Sequence, residues 1–189
     1  AFPLKGDLEV ADVSFVAAAN LVEFGLPEVV GGFPLRAGQM ALKVDAAGLT
    51  VTGTGELNGV PVGLTWRRLF RSQGSVTGAV DIRARLDDAG RQALALPGAP
   101  YLRGPVAARA RINLKGWQVL EGDIELDLAG TEVTIPELVW SKPAAQPGEA
   151  TIALRLESDG TIQINSFALS AAGLMATGQA ELGPDLSFR

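Results

Sequence analysis

Between Gly48 and Trp66 the chain reads GLTVTGTGELNGVPVGLTW, with an apolar or small residue at every second position. Leu49, Val51, Gly53, Gly55 and Leu57 alternate with Thr50, Thr52, Thr54 and Glu56. That period of two belongs to a strand with one dry and one solvated face. Asn58-Gly59 predicts a two-residue type I′ turn, because both central residues of that turn need positive φ. The resulting hairpin sets Leu57 opposite Val60, Gly55 opposite Val62, Gly53 opposite Leu64 and Val51 opposite Trp66. All apolar residues then share one side, and a slip of one residue would turn half of them into water. Pro61, opposite Glu56, falls at a non-hydrogen-bonded position, where its missing N–H points away from this partner.

The same reading extends along the chain. Leu8 to Val16 is expected as a strand bulged at Ala11-Asp12, Ala17 to Phe24 as a short helical turn, and Leu26 to Val30 as a lead into a Gly31-Gly32 loop. Gln39 to Asp45 predicts a strand with Met40, Leu42 and Val44 on one face, joined by Ala46-Ala47 to the Gly48 hairpin. Val76 to Leu86 alternates again. Asp87 or Asp88 then caps the one helix the pattern predicts, Ala89 to Leu96, ended by Pro97-Gly98. Tyr101 to Pro105 brings the chain back. Val106 to Leu114 and Leu120 to Leu128 form a hairpin through Gly116-Trp117-Gln118, which sets Arg111 beside Asp123 and Arg109 beside Glu125. Such pairs fix register and contribute about 0.2–1 kcal/mol each.

An internal repeat organises the chain further. Ala46-Ala47-Gly48-Leu49, Thr52-Gly53 and Glu56-Leu57 recur at a constant offset of 125 as Ala171-Ala172-Gly173-Leu174, Thr177-Gly178 and Glu181-Leu182. Leu26-Pro27-Glu28-Val29-Val30 recurs as Ile135-Pro136-Glu137-Leu138-Val139 at an offset of 109. The difference of 16 is about one strand and its turn, for which Glu149 to Glu157 is the candidate. We therefore read residues 1–189 as a single segment with two related modules, about 8–96 and 105–189.

Composition narrows the chemistry. A formal charge of −5, with Lys and Arg scattered, argues against nucleic acid, which requires a basic stripe to displace counterions. The chain has no cysteine and no histidine, which removes thiolate chemistry, the commonest general base and the commonest metal ligand. Asp87-Asp88 is the only adjacent carboxylate pair, and helix capping accounts for it, so a lyase or glycosidase site is not expected. No cofactor or metal is expected either. No run of 18 apolar residues could cross a bilayer as a helix. Ala1 and Phe188-Arg189 read as cuts in a longer chain.

Many strands with one apolar face each, and about one helix to cover them, leave three solutions. The sheet folds over as a sandwich, closes as a barrel, or curls into a trough with a dry interior. The lining is mostly Leu, Val, Ile and Ala, with only 6% aromatic residues, which suits acyl chains better than sugars. Packing of these side chains against one another is the competing expectation.

Several loose motifs favour the trough. Leu57-Asn58-Gly59-Val60-Pro61-Val62 leads to Trp66 and Phe70; Asp87-Asp88-Ala89-Gly90-Arg91-Gln92 and Leu102-Arg103-Gly104-Pro105-Val106 follow. After them come Ile135-Pro136-Glu137-Leu138, Trp140-Ser141-Lys142-Pro143 and Gly148. In this order the chain resembles the AsmA-like family over nearly its whole length, closest to the large YhdP-type members and more distantly TamB. The resemblance implies a mostly β fold, a twisted antiparallel sheet curled into a taco- or trough-like half-barrel. It also implies a non-catalytic, periplasmic segment of an inner-membrane-anchored envelope protein of Gram-negative bacteria, moving phospholipid toward the outer membrane. Membrane contact is then expected through regions outside these residues.

On that reading acyl chains lie against Met40, Leu42, Val44, Leu49, Val51, Val62, Leu64, Val80, Ile82, Ile112, Ile124, Leu126, Ile152 and Leu154. Trp66 and Phe70 fit either core anchors or markers of a rim. The alternative is a structural or interaction module of the envelope with a filled core.

Overall fold

The computed structural model describes residues 15–30, 32–72, 74–96, 100–171 and 173–184. The expected strand at Leu8 to Val16 lies outside them but for its last two residues, and so does the Pro97-Gly98 helix stop. Long alternating segments dominate the chain. They are β1 (Val16–Val30), β2 (Phe33–Asp45), β3 (Gly48–Leu57), β4 (Val60–Leu69) and β5 (Gly78–Leu86), then, after the helix α1 (Asp88–Ala93), β6 (Leu102–Arg103), β7 (Val106–Lys115) and β8 (Gln118–Asp127). The last are β9 (Glu132–Ile135), β10 (Trp140–Lys142), β11 (Gly148–Leu156), β12 (Ile162–Ala171) and β13 (Leu174–Leu182). Ten of these strands form one antiparallel sheet in the order β1-β2-β3-β4-β5-β7-β8-β11-β12-β13. The sheet is curled into a trough-like half-barrel and left open, with β1 and β13 as its two edges.

The Asn-Gly hairpin takes the register its pattern dictates: Leu57 pairs with Val60, Glu56 with Pro61, Gly55 with Val62, Gly53 with Leu64 and Val51 with Trp66. Asn58 and Gly59 both have positive φ, 47° and 81°. The turn is anchored on both sides, since Asn58 N donates to Pro34 O at 2.9 Å and Asn58 Nδ2 donates to Ala93 O of α1 at 2.7 Å.

Local patterning misleads at the start of the described chain. Ala17 to Phe24, expected as a helical turn, is strand, and Leu26 to Val30 continues that strand up to the turn at Gly32. Ala17, Ala19 and Leu21 stand opposite Val44, Leu42 and Met40. Pairing with an apolar neighbour outweighs the helix preference of an alanine-rich stretch, which is weak on its own.

The β7–β8 connection is a two-residue turn, Gly116-Trp117, with Lys115 opposite Gln118, rather than the expected three-residue loop. Without correction this turn would pair Asn113 with Leu120 and bring a leucine to the charged side. A bulge places Asn113 opposite Glu121 and restores the expected Arg111–Asp123 and Arg109–Glu125 register. A second bulge, between Ala153 and Leu154, does the same for β11 and β12.

Helix α1 is shorter than the expected Ala89 to Leu96, but its cap is as expected: Asp87 Oδ1 accepts from Gly90 N at 2.7 Å. Arg91 fixes the helix to the chain that follows. Buried to 5% exposure, it pairs with Asp88 and donates to the carbonyls of Leu86, Leu102 and Gly104.

One element was not expected. The short strands β6, β9 and β10 form a second sheet in the order β10-β9-β6, and Val133, Leu102 and Trp140 pack with Val106, Leu128, Leu126, Ala150 and Leu169 of the large sheet. This second sheet covers the strand ends where α1 also sits. Lys142, fully buried there, donates to Pro143 O and Gln146 O.

Gly59 has open space around it, so Gly59→Ala meets no clash and feels only the cost of φ +81°. It is expected to lower stability by about 1–2 kcal/mol, read as a lower urea midpoint with unchanged slope.

Candidate functional site

Residues directly opposite one another in an antiparallel sheet share a face, so the register alone assembles the candidate surface. One rung runs Leu42, Val51, Trp66, Val80, Ile112, Gly122, Leu154, Ile164. The next runs Met40, Gly53, Leu64, Ile82, Ala110, Ile124, Ile152, Phe167, and a third runs Gly55, Val62, Ala84, Ala108, Leu126, Ala150, Leu169. Val44 and Leu49 pair in the row beyond the first. The fold thus brings all the expected acyl-contact residues onto one face. Met40, Val51 and Val62 are buried in a cluster with Leu35, whereas Leu42, Val44, Leu49, Leu64, Val80, Ile82, Ile112, Ile124, Leu126, Ile152 and Leu154 are only half-buried.

The two ends of this apolar face differ. At the end covered by α1 and the second sheet, Val60, Leu86, Val106 and Leu128 are buried. At the other end the Gly116-Trp117 turn brings Trp117 to Trp66, with ring centroids 5.4 Å apart and planes at 39°. Trp117 remains 73% exposed, and Leu69 and Phe70 beside the end of β4 are exposed as well. Trp66 is therefore half-buried at an end of the face, and Phe70 lies in solvent rather than in the core. Sequence reading placed Trp117 only in a loop. Its nearness to Trp66 depends on the β4-β5-β7-β8 order, which no local pattern reveals.

The opposite face carries the charges. Asp81 lies between two arginines, accepting from Arg111 Nε at 3.0 Å and Arg67 Nη1 at 3.2 Å. The expected contact of Arg111 with Asp123 is thereby replaced, because Asp81 offers the same carboxylate from the other neighbouring strand. Arg83 stands directly opposite Arg109. No carboxylate of the described residues lies within 4.0 Å of either guanidinium, although Arg109 also faces Glu125. A cavity of about 1480 Å³ opens on this charged side, with Arg83, Arg85, Arg109, Glu125, Asp127 and Glu149 on its wall. Of the expected acyl-contact residues only Val62 and Leu126 touch it. The apolar set is accordingly a lane on a curved sheet rather than the wall of this cavity.

Among the described residues no group of three or more acidic side chains is placed to hold a metal ion. The Asp87-Asp88 pair is spent on structure: Asp87 caps α1, and Asp88 accepts from Gly104 N at 3.0 Å and pairs with Arg91. No helix among the described residues is long and apolar enough to cross a membrane.

No family model, curated protein or solved structure matches this chain. Function is accordingly argued from the two faces and the two ends of the sheet.

Asp81 is 28% exposed and serves two arginines. Asp81→Asn is expected to cost about 0.4–2 kcal/mol, two partly exposed pairs at the usual worth. The difference from the parent should shrink near 1 M salt, where the Debye length falls to about 3 Å; chemical denaturation in urea at two salt concentrations measures it.

Proposed function

We propose that this chain is a non-catalytic lipid-binding segment whose apolar lane holds acyl chains and lets them slide, as in an AsmA-like protein of the cell envelope. The observation that carries the reading is the half-buried state of most of the lane. Mostly aliphatic side chains from eight adjacent strands stand in rungs interrupted only by glycines and two aromatic rings, and most of them keep part of their surface accessible. A filled core would have covered them. Each methylene buried on such a surface contributes about 0.8 kcal/mol. One aliphatic rung resembles the next, so displacement along the lane changes that sum little, and conduction requires such a flat profile.

The rest of the proposal follows the sequence resemblance. The segment would belong to a periplasm-spanning protein anchored in the inner membrane through other regions, conducting phospholipid between inner and outer membranes in outer-membrane biogenesis. A second reading, a structural module of the envelope, is favoured by one observation: Met40, Val51 and Val62 already pack with Leu35 into a closed cluster. Residues from β1 to β5 pack on that cluster, among them the lane residues Leu42, Leu49, Leu64 and Ile82. The stretch from β7 to β11 remains for a ligand.

Native mass spectrometry of the purified protein, with lipid extraction and identification, tests the proposal. Co-purifying phospholipid is expected; a ligand-free mass after exposure to phospholipid micelles would leave the structural module. Ala110 sits mid-lane between Ile82 and Ile124, and Ala110→Trp is expected to reduce bound lipid at least fivefold while thermal stability holds or rises. Unchanged lipid content in that variant would place the lipid elsewhere.

A further inference from the structure

On the apolar face one position breaks the pattern. Within β4 the inward set runs Val60, Val62, Leu64, Trp66 and then Arg68, opposite Leu49 on one side and Gly78 on the other. Among the described strands of the large sheet from β3 to β13, Arg68 is the only charged side chain whose register places it on this face; Lys142 of β10 reaches the face from the covering sheet, fully buried against Gly148. It is half-buried, and no carboxylate of the described residues lies within 4.0 Å of it. Its guanidinium carbon stands 4.9 Å from the centroid of the Trp117 ring, which itself leans on Trp66. Gly78, opposite Arg68, is buried with no room for a side chain, a Cβ there meeting Arg67 O at 2.9 Å, and the Trp117 turn stands at that end.

A guanidinium on an apolar surface gives up hydration and normally recovers it from an anion. Here the protein supplies only an aromatic face, a weak partner at an exposed site. That contact holds the side chain while leaving its N–H fork free. The fork geometry matches a phosphate or carboxylate bidentately. The two ends of the lane therefore differ: α1 and the second sheet cover one, with Lys142 and Arg91 buried there on backbone carbonyls, whereas at the other Arg68, half-buried beside the exposed Trp117 and the buried Leu114, has no such carbonyl partners. From the Gly78 row to the Leu86 row β5 spans about 26 Å at the usual rise per residue, against about 15 Å for one leaflet of hydrocarbon.

We infer that Arg68, braced by Trp117 and Trp66, is the headgroup site of the lane and takes the phosphate of an anionic phospholipid whose tails lie on the rungs. The inference rests on the acyl-lane reading and adds the class and orientation of the ligand. Phosphate oxygens accept from the Arg68 fork at the open end. The exposed indole of Trp117 covers the glycerol region, where amphipathic rings sit in membranes. Diacylglycerol, with the same tails and no phosphate, occupies the lane without using Arg68.

The test compares the parent protein with Arg68→Gln and Arg68→Lys for binding of phosphatidylglycerol, diacylglycerol and water-soluble glycerol phosphate. Native mass spectrometry reads occupancy, and Trp117 fluorescence is an independent readout. Expected are an approximately tenfold loss of phosphatidylglycerol affinity in Arg68→Gln, partial recovery in Arg68→Lys, unchanged diacylglycerol binding, and negligible binding of glycerol phosphate. Equal loss of both lipids would mean that Arg68 merely supports the fold, and no loss of either would mean that it is idle; each result overturns the headgroup site while leaving the lane intact. Glycerol phosphate binding as tightly as the phospholipid would make this a free-anion site and also overturn the proposal. Should the parent bind neither lipid, the lane reading itself fails, and the headgroup site falls with it.

Discussion

The structure depends on one constraint: the register of the large sheet must keep the apolar residues of neighbouring strands on one face. In a sheet of period two, a single slip exchanges the faces of a whole strand. Ten strands are therefore specified together, and the bulges fall where a turn alone would have broken the match. The bulge that brings Asn113 opposite Glu121 is the clearest case, since it lets a tight two-residue turn coexist with the Arg109–Glu125 register. The Gly59 turn, the Asp81 ion pairs and the β7–β8 bulge all serve the same segregation. None contributes much alone, and together they exclude the alternatives.

Segregation of faces creates a problem that the ends of the sheet solve differently. An uncovered apolar sheet is a liability in water. At one end α1 and the small β10-β9-β6 sheet close over Val60, Leu86, Val106 and Leu128, with Arg91 tying three backbone carbonyls to the helix. At the other end no helix or second sheet among the described residues covers the face, although Leu114 is buried there. Two indoles and an arginine stand there instead. A molecule that is greasy along its length and anionic at its head matches that gradient, and this asymmetry supports the lipid reading more than hydrophobicity alone.

The charged face balances its own costs. Arg83 opposite Arg109 is a like-charge pair, which is destabilising in isolation. The neighbouring strand β8 presents Asp123, Glu125 and Asp127 on that side, and β11 presents Glu149. These carboxylates moderate the repulsion through solvent without direct contact. The result is a broad concavity of mixed sign on the side away from the lane.

The sequence by itself determined what depends on neighbours along the chain. The Asn58-Gly59 turn, the register of β3 with β4, the face shared by Met40, Leu42 and Val44, the Asp87 cap and the register that sets Arg109 opposite Glu125 were all legible, because turn chemistry and period-two alternation are local. So was the membership of the lane, from Met40 to Leu154, since each strand declares its own dry side. Tertiary structure alone decided that Ala17 to Phe24 is strand, that Asp81 rather than Asp123 receives Arg111, and that three short strands cap one end. It also decided that Trp117 lies against Trp66 and Arg68. Each of these turns on which strand lies beside which and on how the sheet bends. Those are properties of contacts between residues far apart in the chain, and local alternation carries no record of them.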